Sequence, residues 1–291
     1  MNLLASNYAK SVTTIDEQIN TLKTRNVIIS DENKAREILT RVSYFRLATY
    51  IWVLKKNKNS DRGPVLFETA YEVYEFDKQL RKIVLHVLEN IEIAFRNHIV
   101  HQLNNKYGPF GYLESKNFQN KSYHSYMVQK ITDEQNRSDT QFVKYYVKKY
   151  NQELPIWVAI ELTSFGLLSK IFSNMKNEDK KDIATNYYGI PYIYLDSWLY
   201  VFSTVRNICA HFERLYSRTL TIRPSLDNKD RKKGIDNGTL FAVIFVMSKV
   251  SLNQKEWERF VEDLRTLIDR YQQSIEIKNL GFLDHWESFL T

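Results

Sequence analysis

Between Phe67 and Asn104 the chain runs without a glycine or proline, and this run constrains the fold more than any other stretch. Those two residues are the strongest breakers of a helix, so their absence leaves a long segment free to stay helical. Within it Phe76, Leu80, Ile83, Val84, Val87, Leu88, Ile91 and Phe95 recur at helical spacing. They predict one long helix with a buried stripe. Only 8 Gly and 5 Pro occur in 291 residues, so the same freedom extends to most of the chain. The expected fold class is all-α.

Shorter elements follow from local signals. A helix is predicted over residues 14–25, starting at Thr14 or Asp16. Residues 30–33 (SDEN) cap a second, with Ala35, Ile38, Leu39, Val42 and Phe45 on its apolar face. The polar stretch KKNKNSDRGP, residues 55–64, reads as a loop, and residues 107–111 (YGPFG) stop the long helix. No pattern assigns residues 112–136. A short basic helix is predicted over 142–150. Pro155 opens a helix along PIWVAIELTSFGLLSKIF, proline being well placed at a first helical position. Another helix spans 178–187, and Ile190-Pro191 marks a turn. The charge run at 227–234 reads as a solvated loop. An apolar helix over 240–251 and an amphipathic one over 256–272 complete the set.

A hydrophobic fraction of 43%, with 19 Tyr and 16 Phe, is that of a globular chain rather than a disordered one. The net charge of +7 suits a polyanionic partner. Cys209 is the single cysteine, which excludes an intrachain disulfide and a cysteine-rich metal site. Its place on an apolar stripe makes it a small buried hydrophobe. Residues 1–12 lack the apolar core of a signal peptide. No segment approaches the ~20 apolar residues that span a membrane. A cytoplasmic protein is expected, with no membrane partner.

The chemistry concentrates in Tyr200–Arg218, YVFSTVRNICAHFERLYSR. Val201, Phe202, Val205, Ile208, Cys209, Phe212, Leu215 and Tyr216 predict a buried stripe of one helix. Ser203, Asn207, His211, Arg214 and Arg218 share the opposite face, and Arg206 is one residue off it. Arg206, Asn207 and His211 can then converge. A histidine that titrates near neutrality, a cation for phosphate and an orienting amide suit metal-free RNA cleavage. The acidic residues Asp77, Glu89 and Glu92 lack accompanying His or Cys ligands and read as surface charge on the long helix. No metal or cofactor is expected.

Arg206-Asn207-Ile208-Cys209-Ala210-His211 resembles the R-N-x-x-x-H motif of HEPN-superfamily ribonucleases. The longer string RNICAHFERLYSR resembles the signature of the Abi-like family of abortive-infection, phage-resistance proteins. Further matches are Ser43–Leu47 with Tyr50, Tyr74–Asp77 with Leu80-Arg81, Ile91–Arg96, the string after Pro155, and the ending at residues 280–286. The resemblance makes VSYFRLATYIWVL helical, although its Val, Tyr, Phe, Thr, Ile and Trp favour sheets.

The resemblance implies a metal-independent endoribonuclease that kills the infected cell, using 2′-OH transesterification. The alternative is a non-catalytic RNA-binding or partner-binding module. It implies an N-terminal helical segment (1–60) and two HEPN-like units (61–150 and 151–291). HEPN motifs work in pairs, and Arg96, Asn97 and His101 form a second R-N-x-x-x-H. Either one chain holds an intrachain pair or a homodimer builds the site. Arg206 and His211 would carry catalysis, Asn207 would orient, and Arg214 and Arg218 would hold flanking phosphates. His98 reads as a packing or surface residue. Substrate RNA, a regulatory RNA and an antitoxin-like partner are the expected partners.

Overall fold

The computed structural model describes residues 13–57 and 63–290. Helices make the fold, as expected. The described strands are β1 (Val27–Ile28) and β2 (Val65–Leu66), one short parallel pair. The chain forms two compact units, Met1–Gln79 with Leu267–Glu276, and Leu80–Thr266 with Ile277–Thr291. Residue 150 lies inside the second.

The first unit begins with α1 (Ile15–Thr24). Thr14 takes the Glu17 N–H while the Glu17 carboxylate accepts the Thr14 N–H, a capping box that fixes the start. Asp31 caps α2 (Glu32–Arg41) with a single bond, accepting from the Lys34 N–H at 3.0 Å. The ambiguous aromatic stretch is helical, as α3 (Tyr44–Asn57). The expected loop over 55–64 therefore begins later, and its residues 58–62 lie outside the described residues. Phe45 is 82% exposed, contrary to its predicted place on the α2 core face. Helix α2 stops before extended Val42, and α3 restarts the helical phase. Ile19, Leu22, Ala35, Ile38, Leu47, Ile51 and Phe67 form this unit's core.

The long helix is α4 (Phe67–Tyr107). Its first residues belong to the first unit and the rest to the second. Phe76, Leu80, Val84, Leu88 and Phe95 are fully buried, as the stripe required. Asp77 and Glu92 are also buried, which corrects their reading as surface charge. Asp77 accepts a hydrogen bond from the Tyr50 hydroxyl at 2.7 Å. Such a buried carboxylate stays only where partners satisfy it.

Gly108, at φ +79°, turns the chain away from α4. The unassigned stretch holds α5 (Lys121–Arg137), capped by Asn120. It is followed by α6 (Gln141–Lys149), α7 (Ile156–Ala159) and α8 (Phe165–Asn174). The helix expected after Pro155 is thus broken. Thr163 is extended, and Ser164 caps α8 by accepting the Leu167 N–H. Next come α9 (Asn177–Ile183), a π-turn over Ala184–Tyr188, and α10 (Tyr192–Ala210). The charged run holds the short α11 (Asn228–Lys232). Helix α12 (Leu240–Ser248) is buried along nearly its whole length, and α13 (Gln254–Tyr271) is amphipathic. Helix α10 packs against α8 and α12, so its apolar side is fixed within the second unit.

Candidate functional site

Helix α10 carries the motif but ends sooner than its sequence predicts. Pro191 precedes its first turn. Its last residue is Ala210, and His211 is the C-cap. Phe212 adopts φ +59°, the Phe212 N–H bonds Cys209 O at 3.2 Å, and the Glu213 N–H bonds Ile208 O at 3.0 Å. This is a Schellman turn with phenylalanine where glycine is usual. A bulky residue in the left-handed region costs about 1 kcal/mol or more, and Phe212 is 65% exposed, with little burial to offset that cost. Phe212→Gly is expected to raise stability by about 1 kcal/mol, read from the urea midpoint.

The cationic stripe is corrected by the same turn. Arg214 and Arg218 lie beyond the helix, not on its face. Arg214 donates to Tyr216 O, and Arg218 donates to Glu213 Oε2 at 2.8 Å. Leu215 and Tyr216 are buried as predicted, through the loop rather than a helical stripe. Cys209 is buried, as its place on the apolar stripe predicts.

Arg206 and Asn207 do meet. Arg206 Nη1 approaches Asn207 Oδ1 at 3.4 Å, and Arg206 Nε lies 3.6 Å from Glu92 Oε2. The Arg206 side chain is 37% exposed, so it is anchored on one side and open on the other. Asn207 and His211 are exposed and stand one turn apart on the same side of the helix end.

Arg96, expected as half of a second site, is committed to structure. Its guanidinium donates to Glu92 Oε1, to Ile160 O, to Thr163 Oγ1 at 3.0 Å and to Thr163 O at 2.7 Å. It thereby satisfies the Thr163 carbonyl where the chain breaks before α8 and adds a donor to Ile160 O, which also takes the Thr163 N–H and hydroxyl. Glu92 stands between Arg96 and Arg206 and positions both. Sequence reasoning missed that role. The i, i+4 spacing of Glu92 and Arg96 signals their ion pair, but nothing local signals Arg206.

His101 and Asn97 are exposed on α4, yet the two histidines lie in opposite directions from the Glu92 contact that joins the motif arginines. Arg206 meets Glu92, while Asp196, earlier in α10, meets Lys180 of α9 at 3.4 Å. Helix α9 faces the far end of α4, where Lys106 donates to Asp179 and Gln102 to Asp182. Helix α10 therefore runs antiparallel to α4. At ~1.5 Å rise per residue, His101 lies ~13 Å beyond Glu92 in one direction and His211 ~7 Å beyond Arg206 in the other. This spacing speaks against one phosphate shared by both histidines within a chain.

His98 is a packing residue. It is 6% exposed, stacks on Tyr187 at 3.6 Å between ring centroids, and pairs its Nδ1 with the Tyr188 hydroxyl at 2.9 Å. Burial, and then the neighbouring His101 charge, push its pKa down to about 4. The ring is held in its neutral form, and its burial against Tyr187 and Tyr188 keeps it from a substrate.

A sequence model of the family described as Abi-like protein matches residues 37–217. The match covers more than half of the chain and ends just past the motif. The chain belongs to the Abi-like family. Membership implies a part in abortive infection, a bacterial defence against phage. No curated protein and no solved structure matches this Abi-like protein. Among the described residues, no helix is long and apolar enough to cross a membrane.

Proposed function

We propose that this Abi-like protein is a HEPN-type endoribonuclease that cuts RNA by attack of a 2′-OH on the adjacent phosphorus. The observation that carries the reading is the end of α10. Arg206 is half-open and held by Glu92, Asn207 touches it, and His211 is exposed one turn on. His211 takes the proton from the 2′-OH or gives one to the departing 5′-oxygen. Arg206 balances charge on the phosphoryl oxygens. The new bond joins the 2′-oxygen to phosphorus, and the bond from phosphorus to the 5′-oxygen breaks. The products are a 2′,3′-cyclic phosphate and a 5′-OH.

Two proton transfers need two groups. The spacing of the two histidines speaks against His101, so the second group comes from the motif of a second copy of the chain. RNA with 2′-O-methyl groups is expected to resist cleavage, and His101→Ala is expected to cut at the wild-type rate. Cleavage of 2′-O-methyl RNA would exclude the mechanism. A dead His101→Ala variant with an unchanged melt would restore the intrachain pair.

A further inference from the structure

Two cavities lie side by side along α10, of about 960 and 680 Å³, and share Lys170 and Tyr200 in their walls. Together they form one groove bounded by α5, α8 and α10. It reaches Asn207 of the motif at one end and Asn120 at the other.

The walls are aromatic and cationic. Tyr126 is 44% exposed and Tyr200 is 50% exposed. Lys130 Nζ and Lys170 Nζ lie 5.8 and 5.2 Å from the Tyr126 ring centroid, so the ring is flanked by positive charge. Arg218 lines the same cavity near the motif. The carboxylates along the groove already have cations: Glu134 has Arg137 at 3.2 Å, Glu213 has Arg218 at 2.8 Å, and Asp196 has Lys180 at 3.4 Å. Their repulsion of an anion is thereby reduced. Exposed aromatic faces interleaved with lysines suit a strand whose bases are unstacked and whose phosphates track a positive wall. A duplex hides its base faces and suits this surface poorly.

We propose that this groove binds single-stranded RNA, with bases on Tyr126 and Tyr200 and phosphates on Lys130 and Lys170. That this strand is the one cut at the motif rests on the endoribonuclease reading; the binding itself does not. Asn207 lies in the groove wall and His211 one turn beyond it, so a strand lying there leads directly to the reacting phosphate.

The test uses the full chain carrying His211→Ala, so that bound RNA stays intact, and a labelled oligouridylate followed by fluorescence anisotropy over a range of salt. Tyr126→Ala with Tyr200→Ala is expected to weaken binding ~10-fold or more with little change in salt dependence. Lys130→Ala with Lys170→Ala is expected to weaken binding and to lower the logarithmic salt slope by ~0.7 per lost contact. These side chains are exposed, so the melts are expected to match the parent. If a double variant unfolds, Lys170→Glu alone serves, and weaker binding is again expected. Binding by both double variants at parental strength would overturn the groove. So would equal affinity for a duplex of the same length, or binding of polyglutamate in place of the oligouridylate, which would indicate an acidic protein partner. The two readings fail separately. Normal binding by the groove variants, with His211 still needed for cutting, defeats only the groove. Lost binding in a protein that never cuts RNA defeats only the endoribonuclease.

Discussion

Arg96→Ala is expected to destabilise the protein by ~3–5 kcal/mol, the usual cost of removing one partner from a buried ion pair. Thermal midpoints of chains of this size move by a few degrees per kcal/mol, so a drop of roughly 10 °C is the measurable result. The cause is specific. Arg96 ties Glu92 to the carbonyls of Ile160 and Thr163. Alanine removes the Arg96 donor to Thr163 O and leaves the buried Glu92 with Arg206 alone among the described residues, while Ile160 O keeps the Thr163 N–H and hydroxyl. Arg96→Lys is expected to recover only part of the loss, because an ammonium cannot reproduce the planar fork. A catalytic Arg96 would behave in the opposite way, losing activity with an unchanged melt. Arg206 is also expected to lose order in this variant, since Glu92 would no longer be held from its other side.

The sequence was most informative where periodicity was long. The buried stripe of α4 and the helical character of residues 44–54 were both legible, the first from spacing and the second from family resemblance, while the last turn of α3 was read as loop. The failures have physical causes. No glycine or proline follows Ala210 until Pro224, so nothing local marked the end of α10. The chain turns there through Phe212 in a conformation that glycine normally supplies. The break before α8 was hidden in the same way, since Thr163 and Ser164 interrupt an apolar run that otherwise continues. Helix α5 is polar with scattered tyrosines, and those tyrosines do not mark a core face. Tyr123 and Tyr126 are among its exposed residues.

The candidate site was legible in part. Arg206, Asn207 and His211 stood out because of their types and spacing, and the first two are in contact. The matching string Arg96–His101 has the same letters and a different physical role. Arg96 points into a chain break, and His101 lies away from His211. Spacing on one helix cannot say what another helix brings to it. Glu92 shows the same limit, because its contact with Arg206 joins α4 to α10 across more than a hundred residues of sequence.

The central claim is that His211 moves a proton during metal-independent RNA cleavage. The direct measurement is incubation of purified wild-type and His211→Ala protein with total RNA in excess EDTA, with the new ends analysed chemically and the melts recorded beside them. The wild type is expected to yield 2′,3′-cyclic phosphate and 5′-OH ends. His211→Ala is expected to lose at least ~10²–10⁴-fold in rate, the range for removing an acid–base group. Its melt should be nearly unchanged, because His211 is exposed. Cleavage that persists in His211→Ala, or that stops in EDTA and returns with magnesium, would contradict the account.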